Sequence, residues 1–188
     1  GGTKNPEAYQ AYLKGHYSWE KRTRESLERA KNYFGQATEE DPAYALAYVG
    51  LANTYFVITD YAPIPINETT PKIRAYAEKA LALAPDLAEA HAALAGAYWN
   101  DWKWAEAQRE FKRALEINPN LADAHHWYGL LLSWVGEYPE EAIAQIKRAV
   151  ELDPLNLRFN ANVGQAYWLA RKDQLALDYI WRIAGSSN

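Results

Sequence analysis

Cysteine is absent from this 188-residue chain. Disulfides, thiolate nucleophiles and thiolate metal sites are therefore excluded, and the redox compartment is left undecided. Methionine is absent as well, and the chain opens Gly1-Gly2. It reads as an excised fragment carrying a cleavage scar, with residues 1–4 as linker and further protein expected upstream. No apolar run approaches the roughly 20 residues of a membrane-spanning helix. No block of Lys and Arg stands out against a formal charge of −4, so the footprint of a nucleic-acid surface is missing. Glycine-rich phosphate loops are also missing. What the chain has in abundance is apolar and aromatic: 49% hydrophobic residues, with 8 Trp and 14 Tyr. Such rings supply core volume and also make binding anchors.

The apolar residues follow a long period. Residues 80–91 read ALALAPDLAEAH and residues 114–125 read ALEINPNLADAH, a shared ALxxxPxLAxAH frame 34 residues apart. A fixed period of 20 to 50 residues is the mark of a repeat architecture. With Ala88 as position 1, His91, Leu94, Ala95 and Tyr98 fall at positions 4, 7, 8 and 11, and Ala107, Phe111, Ala114 and Pro119 at 20, 24, 27 and 32. The next unit repeats the pattern from Ala122, with one extra residue in its turn. The unit from Ala45 carries nine extra residues, and another unit begins at Leu157. Ala30, Phe34, Ala37 and Pro42 make a clear second half at the front, whose first half fits loosely. The units span about 5–44, 45–87, 88–121, 122–156 and 157–184, with residues 185–188 as a tail.

Within each unit apolar residues recur at i, i+3, i+4 and i+7 in two stretches, which predicts two helices. Small residues at positions 8, 20 and 27 mark where antiparallel helices approach closely. Pro at position 32 ends the second helix, because it has no N–H and restricts the residue before it. Thr70-Pro71 predicts the N-cap and first position of another helix after the long loop 59–71.

This pattern resembles the tetratricopeptide repeat family, whose signature is W-x2-L-G-x2-Y…A-x3-F…P over 34 residues. The resemblance covers about residues 5–184. It departs in the Trp slot, which holds Tyr48, His91, His125 and Asn160, and at Ile73, which occupies a usually small position. It implies an all-α fold, a right-handed superhelix of about five helix–turn–helix units with a concave, protein-binding groove. The runs NPEAYQAYLKGHYSWEKRT, NDWKWAEAQREFKRALEINP and AHHWYGLLLSW further resemble the C-terminal repeat arrays of multidomain bacterial signalling and transcriptional regulatory proteins. That narrower resemblance implies a sensory or recruiting module in the cytoplasm, with the periplasm as the alternative.

In this family the first helix of each pair lines the groove through positions 2, 5, 9, 12 and 13. Carried onto this chain, the expected ligand-binding residues are Val49, Asn53, Phe56, Trp99, Asn100, His126, Leu130, Trp134, Gln165 and Trp168. A Trp near the end of a repeat helix serves equally as packing on its neighbour. A clamp for peptide C-terminal carboxylates, known in the family, is not expected: of the slots it uses, filled here by Val49, Asn53, Ala93, Asp123 and Trp127, only Asn53 matches. No cofactor is expected.

Chemistry has little foothold. His91 and His125 share position 4 of adjacent units but lack the third converging ligand a zinc site needs. They are expected in a core role in place of the usual Trp. Ser133 lies seven residues from His126, too far along a helix for a nucleophile and its base. Paired carboxylates such as Glu39-Glu40 and Glu140-Glu141 read as solvated surface. The fragment is therefore expected to be no enzyme, and its partner to be a protein or peptide. The competing expectation is self-association. The last helix carries Leu177, Ile180 and Trp181 with no polar cap following, and repeat arrays ordinarily need one for solubility. A homodimer through these residues would cover them.

Overall fold

The computed structural model describes residues 2–185; Gly1 of the expected scar and Ser186–Asn188 of the expected tail lie outside it. Among the described residues there are ten α-helices, one short 3-10 turn and no strand. The helices are α1 (Pro6–Glu20), α2 (Arg24–Glu40), α3 (Ala45–Val57), α4 (Ile66–Leu83), α5 (Ala88–Asn100), α6 (Trp104–Ile117), α7 (Ala122–Val135), α8 (Pro139–Leu152), α9 (Leu157–Leu169) and α10 (Asp173–Gly185). The expected all-α array of helix–turn–helix units is the architecture found. It divides into two compact units, residues 1–117 and 118–188. The first holds the hairpins α1/α2, α3/α4 and α5/α6, and the second holds α7/α8 and α9/α10; within each, consecutive hairpins stack side by side.

The repeat period is visible in how the helices stop. α2, α4, α6 and α8 end at Glu40, Leu83, Ile117 and Leu152. Pro42, Pro85, Pro119 and Pro154 each follow two residues later. The residue at position 4 of the next helix then reaches back across that break. Tyr48 Oη donates to the Pro42 carbonyl at 3.3 Å. His91 Nε2 lies 3.2 Å from the Pro85 carbonyl, and His125 Nε2 lies 2.9 Å from that of Pro119. Asn160 Nδ2 donates to the Pro154 carbonyl at 3.0 Å. The other end of each side chain meets the second helix of its own hairpin. His91 Nδ1 is 2.7 Å from Glu110 Oε2, His125 Nδ1 is 2.6 Å from Gln145 Oε1, and Asn160 Oδ1 accepts from Tyr179 Oη at 3.1 Å. Tyr48 instead meets the Tyr76 ring at 6.4 Å. The slot that holds Trp in the family here holds a polar clasp, so the expectation of a core role for the two histidines is refined to a specific hydrogen-bonding one.

Close approach of the paired helices explains the small residues. A Cβ on Gly129 would lie 2.5 Å from Ile146 Cγ1 and 2.9 Å from the Ala142 carbonyl oxygen. In the first hairpin Phe34 is gripped on two sides, its ring 2.7 Å from a Cβ on Gly15 and 2.6 Å from one on Gly50. Gly136, in the α7–α8 turn, has φ +77 and closes α7 in the left-handed conformation that glycine adopts without steric cost.

Two expectations need correction. Thr70-Pro71 does not open α4, which begins at Ile66 and encloses Pro71. The added turn is held by the buried Thr69 and Thr70, whose hydroxyls donate to the Ile66 carbonyl at 3.1 and 2.8 Å. Gly185 belongs to α10 rather than to a tail. Ile73, the large residue in a small slot, is fully buried in the cluster that joins α3, α4 and α5.

Buried tyrosines make stability depend on alkaline pH. Tyr128 is buried in the α7/α8 hairpin, where its hydroxyl donates to Glu141 Oε1 at 3.0 Å. Burial, and then the bond to Glu141, push its pKa well above the ordinary value of 10.0; burial does the same at Tyr44. The folded state thus holds these protons more tightly than the unfolded chain. Their contribution is fully present below about pH 10 and is lost as pH rises beyond it. Urea denaturation is expected to show stability falling above about pH 10, with a shallower fall in Tyr128→Phe. Equal slopes for the two proteins would refute the role given to Tyr128.

Candidate functional site

The first helices of the hairpins carry the candidate residues, and the two units are taken in turn. In residues 1–117 the α3 and α5 helices lie in contact. Position 12 of α3 is Phe56 and position 12 of α5 is Trp99. Their rings meet edge to face, with centroids 5.9 Å apart and planes at 67°. Phe56 lies over Gly96, where a Cβ would come within 3.1 Å of the ring. A larger residue at position 96 would push Phe56 away, so the glycine sets the height of this aromatic pair. Both rings are half-buried, and Asn53 one turn before Phe56 is half-buried too.

Val49 behaves differently. It is buried in the core cluster with Ala90, Ala93 and Ala97 of α5. The neighbouring first helix covers it, so it packs rather than presents a side chain to a groove. Asn100 stands at the end of α5, and its Nδ2 is buried without a hydrogen-bond partner among the described residues. It lines a cleft formed with α4.

In residues 118–188 the candidates sit on α7 and α9. His126 is 1% exposed, its ring centroid 4.7 Å from that of Phe159 and its Nε2 3.0 Å from Asn162 Oδ1. Leu130 is buried as well. His126 forms part of the packing between α7 and α9, for the same reason as Val49. Asn162 Nδ2 donates to Gln165 Oε1 at 2.6 Å, and Arg158 Nη2 donates to Asp123 Oδ1 at 3.2 Å. A polar strip of Arg158, Asn162 and Gln165 therefore runs along one face of α9. Sequence reasoning named Gln165 and missed Asn162, which the i, i+4, i+7 spacing from Arg158 signals. Trp134 and Trp168 are 64% and 60% exposed.

The residues weighed for catalysis are engaged elsewhere. Ser133 Oγ donates to the Gly129 carbonyl at 2.9 Å, the back-bond of a helical serine. Among the described residues no three His, Cys, Asp or Glu side chains are grouped to hold a metal ion. No helix among them is long and apolar enough to cross a membrane. On α10, Leu177 and Ile180 are about half-exposed and Trp181 is 74% exposed, while Ile180 Cγ1 also fills the space over Gly164.

No curated protein matches the chain at the sequence level. The tetratricopeptide repeat profile matches residues 88–121, the α5/α6 hairpin with the turn that follows. Among solved structures the chain is similar to TTC0263, a thermophilic tetratricopeptide-repeat protein of Thermus thermophilus, at 19% identity and TM-score 0.73, covering 93% of this chain and 89% of that one. It is similar to YrrB, a tetratricopeptide-repeat protein with an unusual peptide-binding site, at 24% identity and TM-score 0.53, covering 93% and 81%. It is also similar to the first such domain of Spaghetti (RPAP3), solved with the HSP90 peptide SRMEEVD, at 17% identity and TM-score 0.54, covering 72% and 98%. The chain thus contains a tetratricopeptide repeat at residues 88–121 and shares its helical-repeat fold with proteins built from such repeats.

Proposed function

We propose that the chain is a non-catalytic protein-interaction module that binds a peptide or domain on the face of its first helices, and that it serves as the sensory or recruiting part of a larger bacterial regulatory protein in the cytoplasm. The observation that carries the reading is the Phe56–Trp99 pair: two aromatic rings at the same repeat position of consecutive first helices, only half covered. Apolar rings in that state gain from a partner that completes their burial, and Trp is prominent among interface hot spots. Two proteins of the same fold, YrrB and the Spaghetti domain, are described with a peptide-binding site and a bound peptide.

Peptide display against the wild-type chain, counter-screened on Trp99→Ala/Trp134→Ala, tests it. The variant must first keep its helical circular dichroism. Selected peptides are expected to bind it at least about 30-fold more weakly, the loss of one hot spot. Peptides that bind both proteins alike would place recognition elsewhere.

A second reading is favoured by the exposed Leu177, Ile180 and Trp181: self-association through α10, giving a homodimer or packing on an upstream domain. Sedimentation of wild type beside Trp181→Glu decides it. A wild type that stays monomeric at high concentration removes the dimer.

A further inference from the structure

The nine residues that lengthen the Ala45 unit build a cleft that the aromatic face does not include. Because α4 starts at Ile66, its first turns extend alongside the α5–α6 turn, and a cavity of about 610 Å3 lies between them. That is the size of a pocket for a small ligand or one residue of a partner. One wall is α4, with Ile66, Pro71, Arg74 and Glu78; the other is Asn100, Asp101 and Trp102.

The groups that line the cleft define the ligand's chemistry. Arg74 is already engaged: Nη2 donates to Asp101 Oδ2 at 2.6 Å, and the guanidinium lies 4.7 Å over the Tyr98 ring. Glu78, one turn further along α4, makes no ion pair among the described residues, so the cleft has one carboxylate in excess. Trp102 stands at its rim, 76% exposed, its indole edge to face with Trp104 at 5.2 Å. An open indole face beside a free carboxylate attracts a cation. It repels a carboxylate ligand, and a purely apolar one would desolvate Glu78 without repayment. Asn100 Nδ2 is buried at the wall without a partner among the described residues.

We propose that this cleft takes a cationic residue, arginine or lysine, of a protein partner. Its charged end lies between the Glu78 carboxylate and the Trp102 indole, both of which line the cleft. The cleft and the Phe56–Trp99 pair are separate features, and occupancy of one does not require the other. The net charge of −4 favours a basic partner.

The test is NMR on the 15N-labelled full chain titrated with N-acetyl-Gly-Arg-Gly amide and, separately, N-acetyl-Gly-Glu-Gly amide. The arginine peptide is expected to give saturable shifts at the Trp102 indole N–H and the Asn100 side-chain amide, and the glutamate peptide none. Glu78→Gln and Trp102→Gly are each expected to weaken binding about fivefold or more. Both variants keep the fold, since Glu78 is exposed and Trp102 has φ 61, which glycine adopts freely. The proposal is overturned by an absence of saturable shifts up to about 10 mM peptide, by equal shifts from the glutamate peptide, or by wild-type affinity in both variants.

Discussion

Phe34→Ala is expected to cost about 3–5 kcal/mol of stability. Phe34 is 2% exposed. It is held between the bare backbones of Gly15 on α1 and Gly50 on α3, with the Tyr12 ring 5.7 Å away. Removing the ring leaves a cavity bounded on both sides by helix backbone. Backbone relaxes inward less readily than side chains do, so the cavity term is retained in full. Urea denaturation of the variant and wild type measures the loss. A cost below about 1 kcal/mol would mean that the three helices collapse onto the gap, and that the two glycines do not fix their spacing.

Gly129→Ala comes next, at about 1–3 kcal/mol from overpacking. The added Cβ meets Ile146 Cγ1 at 2.5 Å, the Ala142 carbonyl oxygen at 2.9 Å and the Ile146 nitrogen at 3.0 Å. Ile146 can turn aside, but the carbonyl and amide belong to α8 and move only with the helix. Adding Ile146→Val should therefore recover part of the loss and not all of it. Full recovery would show that the contact is between side chains alone. Thermal melts of the single and double variants, with each variant's helix content checked, distinguish the two outcomes.

These two sites also show why so much of the fold is legible in the sequence. A residue that must be small because backbone passes over it, as at Gly129, leaves the same mark in every unit. A proline that must end a helix, as at Pro119, leaves its mark in four of the five. Both are constraints on the main chain, and the main chain repeats. The start of α4 was not legible, because Thr70-Pro71 has the local chemistry of a helix opening. The structure sets the start five residues earlier, where burial of Thr69 and Thr70 and their bonds to the Ile66 carbonyl support another turn. That is a tertiary effect with no local signal.

The candidate face was legible in part for a related reason. Periodicity says which way a side chain leaves its helix, but not how far the next helix reaches over it. Phe56, Trp99, Trp134 and Trp168 remain at least partly open, whereas Val49, His126 and Leu130 are covered. Depth is set by the neighbour: by Ala90 and Ala93 over Val49, and by Phe159 over His126. The cleft beside Trp102 had no sequence signature beyond the length of the loop that creates it.

The polar clasp at position 4 has a consequence for how the protein comes apart. Within the first unit Tyr48 and His91, and within the second Asn160, each join the turn after one hairpin, the start of the next helix and the helix that follows. Loosening one hairpin therefore releases bonds that hold its successor. In a linear array, stability is the sum of each hairpin's own stability and its coupling to the next. Polar clasps enlarge the coupling share, so within each compact unit melting should proceed as one cooperative event rather than by fraying hairpin by hairpin. Tyrosine, histidine and asparagine differ in length but share a polar end that meets the proline carbonyl, so that bond, more than the size of the group, is the property that holds neighbouring repeats to a common fate.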